Sequence, residues 1–225
     1  MKKTFTKKFI ASVLILSSLA CVLMLTGCSN DQTFVEQNYI SNTDNINSIV
    51  INVEDRDISV GISNDNQIHI EYFESEKEFY DISTDNSTLS MTIKYDKSWT
   101  DYIGSKPSIS YRKINISIPN NMLDNLTITT TNENINLSTL SVLDSISLDA
   151  NGGNINLTQV SVGNNISLTA KNGNINGSIV GSWNDFAITC EIKKGDTNLP
   201  ENKTDGEKTL NVNCNNGDVN IDFIS

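Results

Sequence analysis

The sequence predicts an all-β fold: one parallel β-solenoid domain with about 20–22 residues and three short strands per turn. Three observations predict it. An N-I-N-like motif recurs with its central residue at Ile135, Ile155, Ile175, Thr197 and Val219, at spacings of 20, 20, 22 and 22. An apolar residue stands nine positions before each of these anchors, at Leu126, Ile146, Ile166, Ile188 and Leu210. Short apolar–polar alternations fill the spaces between, each the pattern of a half-buried strand.

Each unit reads in order. The first alternation is Leu126-Thr-Ile128 or Ile146-Ser-Leu148, the second is Ile155-Asn-Leu157, and the third is Leu140-Ser-Val142 or Val160-Ser-Val162. Stacked turns superpose equivalent residues, so Leu, Ile and Val columns fill the interior. Asn134, Asn154 and Asn174 form one outer column, and Asn136, Asn156 and Asn176 another. Stacked amides can hydrogen-bond along such a ladder. The glycines at 152, 153, 173, 195 and 217 mark corners where a Cβ would be opposed. In the fourth unit Phe186 competes with Ile188 as the strand start, with two extra residues then placed at Glu191-Ile192. An antiparallel meander or β-sandwich is the alternative fold, because Asn151-Gly152 and Asn172-Gly173 are also hairpin signals.

The N-terminal half alternates less regularly, at Ile49–Val53, Asp57–Val60, Gln67–Ile70 and Leu89–Ile93. The domain therefore divides into an irregular part, 46–124, and regular repeats, 125–225. Irregular terminal units commonly cap a stack. Glu74, Glu76 and Glu78 alternate and read as a solvated strand edge.

Residues 1–27 read as a lipoprotein signal peptide. Lys2, Lys3, Lys7 and Lys8 precede an apolar run from Phe9 to Leu25, and Leu25-Thr-Gly-Cys28 follows. That order is the export pattern, and it resembles the lipobox of bacterial lipoproteins, which implies lipidation of Cys28. Residues 28–45 then serve as a lipid-anchored linker to a domain at 46–225. Without the four leader lysines, 12 basic residues face 27 acidic ones, a net charge of −15. Such a surface repels nucleic acid and anionic lipid.

The motifs Ile114-Asn-Ile-Ser-Ile-Pro119, Leu126-Thr-Ile128 and Asn216-Gly-Asp-Val-Asn-Ile221 resemble the bacterial putative-adhesin family of β-strand-repeat proteins, which carries a domain of unknown function. The resemblance covers roughly residues 45–225. It implies a β-solenoid-like fold at the cell envelope, with some relatives linked to adhesion or envelope stress, and it brings no agreed activity.

No catalytic constellation stands out. His69, the single histidine, lies in an alternating strand and in no triad or metal-ligand spacing. The sequence implies no cofactor and no enzyme, and no metal beyond Asp196 and Asp218 as weak calcium candidates. The aromatic, locally basic stretch at 95–113 is the candidate partner-binding loop, with Trp99, Tyr102, Lys106, Tyr111 and Arg112 as contacts. Cys190 and Cys214 are expected in the column of Thr130, Ala150 and Ala170, on adjacent turns, as a disulfide or as stacked thiols. The functional expectation is a lipid-anchored module at the extracytoplasmic face of the cell membrane. It would act as a non-catalytic adhesin-like binder or scaffold for cell-wall polymer, glycan or an envelope protein. An envelope-stress accessory that senses or sequesters a partner is the alternative, and a polysaccharide-active enzyme comes third.

Overall fold

The computed structural model describes residues 32–42, 45–98 and 106–225. The expected signal peptide at 1–27, Cys28, Trp99 and Tyr102 lie outside the described residues. In chain order the strands are β1 (Val35–Asn42), β2 (Ser48–Asn52), β3 (Asp57–Ile62), β4 (Gln67–Glu74), β5 (Glu78–Asp85), β6 (Thr88–Tyr95), β7 (Lys113–Ile118), β8 (Asn125–Thr130) and β9 (Ile135–Ser138). There follow β10 (Ser141–Val142), β11 (Ser145–Ala150), β12 (Ile155–Val162), β13 (Asn165–Asn172), β14 (Ile175–Val180), β15 (Phe186–Lys194), β16 (Asn202–Lys203), β17 (Lys208–Asn216) and β18 (Val219–Ile224).

Two nine-stranded sheets enclose the core. Sheet A runs β1-β4-β7-β3-β9-β12-β14-β18, with β10 joined to it off this path through β12, and sheet B runs β16-β15-β17-β13-β11-β8-β2-β6-β5. One strand of sheet B, a corner and one strand of sheet A make most of a coil. A third narrow face carries Val142 and Val162, where β10 pairs with the end of β12. The corner into that face uses Thr139 and Gln159 at φ 47° and 52°. Pairing is parallel through the body of the stack, and antiparallel only in the end pairs β1–β4, β4–β7, β5–β6 and β15–β16. Asn151-Gly152 and Asn172-Gly173 are thus corners between sheets, not hairpins.

The inward column at the anchor position is Ile114, Ile58, Ile135, Ile155, Ile175 and Val219, all fully buried. Burying each such side chain contributes roughly 1.5–3 kcal/mol. Beside it, Thr130, Ala150, Ala170 and Cys214 superpose at the corner, where only small side chains fit. At Gly173 a Cβ would meet the Gly153 carbonyl oxygen at 2.1 Å, so glycine is required by the close approach of successive coils.

The asparagine column works through the backbone. Asn134 Oδ1 accepts the Asn154 N–H at 2.9 Å, and Asn154 Oδ1 accepts the Asn174 N–H at 2.8 Å. Asn174 Oδ1 accepts the Asp218 N–H at 2.9 Å, and Asp218 Oδ1 accepts the Asp196 N–H at 2.9 Å. The second column is joined side chain to side chain, Asn156 Nδ2 donating to Asn136 Oδ1 at 2.8 Å.

That ladder exposes a feature absent from the linear repeat. The fifth unit lies between the third and the fourth: β13 pairs with β17, and β15 pairs with the far edge of β17. A transposition also occurs at the other end, where β2 and β3 sit between the β6–β7 coil and the β8–β9 coil. Ile49 and Ile58 keep the nine-residue spacing, so this early segment is a regular coil in its own right.

Three expectations need correction. Residues 35–42 form an edge strand on β4 rather than linker, although Val35 and Ile40 stay about half exposed. Glu78 is not on a solvated edge: β4 and β5 are separate strands, and Glu78 is buried. The fourth unit has no insertion, because Ile188 pairs with Leu210 and Phe186 with Lys208. Cys190 therefore lies opposite Val212, and Ile192 lies opposite Cys214. An offset of two residues on neighbouring strands puts the cysteine Cα atoms roughly 8 Å apart, beyond disulfide reach. Both are buried free thiols, not stacked on each other.

Candidate functional site

Of the loop residues singled out in the sequence, Lys106, Tyr111 and Arg112 come together at the corner between β6 and β7. Each is held by the fold. Lys106 Nζ lies 2.7 Å from Asp55 Oδ1. Burial acts to raise the Asp55 carboxyl, but hydrogen bonds from Lys106 and Asn132 hold it below its ordinary value. Arg112 pairs with Glu133, and its Nε donates to the Pro107 carbonyl at 2.9 Å. Tyr111 stacks on Phe34 at 5.1 Å and meets Phe73 edge-on at 5.7 Å. The charges of this segment thus pin it across neighbouring coils.

A cluster that sequence reasoning missed lies beneath it. Arg56 and Glu78 are both almost fully buried and paired at 2.5 Å. Arg56 Nε donates to the Tyr80 hydroxyl at 2.5 Å, its Nη1 donates to the Glu54 and Asp55 carbonyls, and Lys97 Nζ reaches Glu78 Oε1 at 2.7 Å. Burial acts to lower the Arg56 pKa, yet Tyr80 and Glu78 together raise it. The guanidinium fork suits a buried pair in a way lysine does not. One of only two arginines in the chain, set in Glu54-Asp-Arg-Asp57, was the available signal. The cluster ties β5 to the first corner, which is a structural role.

The calcium candidates serve the ladder. Asp218 Oδ1 is committed to the Asp196 backbone, and among the described residues no group of three His, Cys, Asp or Glu could hold a metal ion. His69 Nε2 lies 2.9 Å from Asp65 on the outer surface of sheet A.

An extended surface with free chemistry is the outward side of sheet B. Alternation puts every second residue of each strand outside, and the parallel register aligns them in three columns. One column passes through Thr127, Ser147 and Ser167, and its neighbour through Thr129, Asp149 and Thr169. The third starts each strand, at Asn125, Ser145 and Asn165. From β6 to β17, every position in these columns is Ser, Thr or Asn except Val50 and Asp149. The strand-start column is partly self-satisfied, Ser145 Oγ donating to Asn125 Oδ1 at 2.5 Å. In contrast, the side chains of Thr127, Ser147, Ser167, Thr129 and Thr169 make no hydrogen bond to any described residue. Alternation was legible in the sequence, but alignment of the outward residues into an uncharged array was not.

The family model for Toastrack DUF4097 matches residues 46–225. The chain belongs to this family. The Toastrack fold is shared with a putative cell adhesion protein of Clostridium sporogenes, at a TM-score of 0.57 and 12% identity, covering 85% of this chain and 100% of that one. A putative adhesin of Bacteroides fragilis aligns over 88% of this chain and 100% of its own, at 15% identity and a TM-score of 0.40. At 12% identity the likeness to the Clostridium sporogenes protein concerns the fold alone. No curated protein matches the chain.

Proposed function

We propose that this Toastrack domain is held at the extracytoplasmic face of a bacterial cell membrane by a lipid on Cys28 and works there as a non-catalytic binding module. The observation that carries the binding half is the uncharged, regularly spaced outward face of sheet B. Its hydroxyls and amides suit recognition rather than turnover, since a serine nucleophile needs an adjacent base and the single histidine belongs to sheet A. The anchoring half rests on Leu25-Thr-Gly-Cys28 behind a basic and apolar leader. Gln32 follows Cys28 by four positions, so it would stay within about 14 Å of the anchor. Stable attachment needs more than one acyl chain, which a diacylated cysteine supplies. Metabolic labelling with a fatty-acid probe tests the anchor: the mature protein takes up label, and Cys28→Ser loses both label and membrane association. An unlabelled mature protein contradicts this reading.

A further inference from the structure

We propose that the outward face of sheet B binds a linear, uncharged β-1,4-linked polysaccharide lying along the stack, one sugar to each strand. The inference rests on the binding half of the function proposed above and names its ligand class.

Three features lead to it. The first is the repeat. Adjacent strands lie about 4.8 Å apart, and residues two apart on one strand about 6.7 Å apart. The columns of Thr127 and Thr129 therefore form two parallel lines of polar groups, each repeating at nearly the advance of one sugar in an extended β-1,4 chain. The ring edges of such a chain carry hydroxyl or amide groups to both sides, where the two lines stand. The second is availability. At the corners entering sheet A, the amides of Asn134, Asn154 and Asn174 accept from the backbone of the next coil, so they are already committed, and on its outward side Asn156 donates to Asn136. On sheet B, the hydroxyls of the two middle columns have no partner among the described residues. The third is charge. The chain carries a net charge of −11, yet this face holds Asp149 as the one ionisable group in its three columns between β6 and β17. A neutral polymer meets no repulsion there, and a polycation would be drawn elsewhere.

Hydrogen bonds that replace bonds to water give little net affinity one at a time. Binding must then accumulate along the polymer, as repeated contacts do when their spacing matches. The array from β6 to β17 has six strands, so affinity should rise with oligomer length up to six sugars.

The test uses the whole chain in detergent micelles. The probes are β-1,4-linked N-acetylglucosamine oligomers and β-1,4-linked glucose oligomers, each from two to six sugars, followed by calorimetry and by NMR shift mapping. The two series separate an acetamido-bearing wall-type chain from a plain glucan. The expected result is saturable binding in at least one series, a Kd at least tenfold lower for the hexamer than for the dimer, and shifts confined to the outward residues of sheet B. Ser147→Lys and Ser167→Lys should each weaken hexamer binding at least tenfold, while Thr158→Lys on the exposed side of sheet A should leave it unchanged. All three substitutions are at outward positions, and the wild-type shift map reads the site without any variant. Absence of saturable binding in both series, affinity independent of length, or equal loss in Thr158→Lys would overturn the inference. A lipid-labelled Cys28 with no glycan binding defeats this inference but not the anchor; an unlabelled Cys28 with length-dependent binding does the reverse.

Discussion

The coils from β8 to β14 follow one another in space as they do along the chain, whereas the coils at both ends are transposed. In the middle, each unit finds a neighbour of equal length whose small corner residue, buried isoleucine and asparagine amide match its own. At the C-terminal end, β17 rather than β15 takes the place beside β13. Its Asn216-Gly217-Asp218 corner presents a backbone N–H to Asn174 and a carboxylate to Asp196. At the N-terminal end, β2 and β3 are enclosed by later segments, and antiparallel pairs close the stack, β4 on β7 in sheet A and β5 on β6 in sheet B. The difference teaches that adjacency in this fold is set by complementary corners, and that transposition gives β2 and β3 at one end, and β17 at the other, a partner on both sides. The outermost strand of sheet B at the C-terminal end is partly covered by β16 and by Lys203, whose Nζ donates to the Phe186 carbonyl. Such covering discourages edge pairing with other chains.

If the middle is held by its buried column, the largest effect should come from Ile155→Asp. An unpaired carboxylate placed among fully buried side chains has no compensating partner. The variant should fail to give a cooperative thermal transition in circular dichroism. If the N-terminal end is held differently, by ions, Arg56→Ala should cost about 3–5 kcal/mol by leaving Glu78 buried with Lys97 as its remaining cation. Hydrogen exchange should then rise first in β4 and β5 and leave β11 to β14 protected. Uniform loss of protection would mean that the two regions unfold as one.

The repeats were legible in the sequence because their signal is local. Ile155 and Asn154 recur at fixed distance, and the strands, the three faces and the parallel class follow from that recurrence. The order of the last two units was not legible, because nothing near Cys190 or Cys214 says which coil each will touch. The nine-residue rule at Ile188 outperformed the bulkier Phe186, which packs instead against Phe223 at the C-terminal end. The edge strand β1 escaped notice because Val35-Glu-Gln-Asn-Tyr-Ile-Ser-Asn42 buries little: Tyr39 is its main contribution to the core. The Arg56–Glu78 pair joins a corner to a strand 22 positions further on, and charge patterning along one strand cannot reveal it. The uncharged face depended on register between coils, which alternation within a coil leaves open.

Smaller effects sharpen the comparison. Gly173→Ala should cost about 1–3 kcal/mol, since its Cβ would press on the backbone of the adjacent coil. Gly61→Ala, where a Cβ meets nothing within 4 Å, should be neutral or stabilise by up to about 1 kcal/mol. Asn154→Ser removes the acceptor of the Asn174 N–H and should cost about 1 kcal/mol, far less than Ile155→Asp. Equal thermal shifts for the two would contradict the assigned register.

The smallest effect is in alkali. All six tyrosines precede Asn120, and the coils from Asn125 onward contain none. Burial, aided by the negative charge of Glu74, pushes the Tyr72 phenol up from 10.0 to about 12. The folded state thus favours the neutral phenol. Its stabilising contribution is complete below pH 10 and is lost as pH rises through about 12. Burial also raises Tyr80 and Tyr95. Exchange measured from pH 9 to 12 should show the N-terminal end opening first, and Tyr72→Phe should delay it. Opening that begins in β11 to β14 would contradict the assignment.

The central claim is that β17 lies between β13 and β15, which makes the sheet B face continuous. Cross-strand nuclear Overhauser effects between backbone protons test it most directly. The account predicts contacts joining Leu168 to Val212 and Val212 to Cys190, with none from Leu168 to Cys190. A direct Leu168–Cys190 contact, with Val212 at the outer edge, would restore sequential stacking and contradict the transposed order.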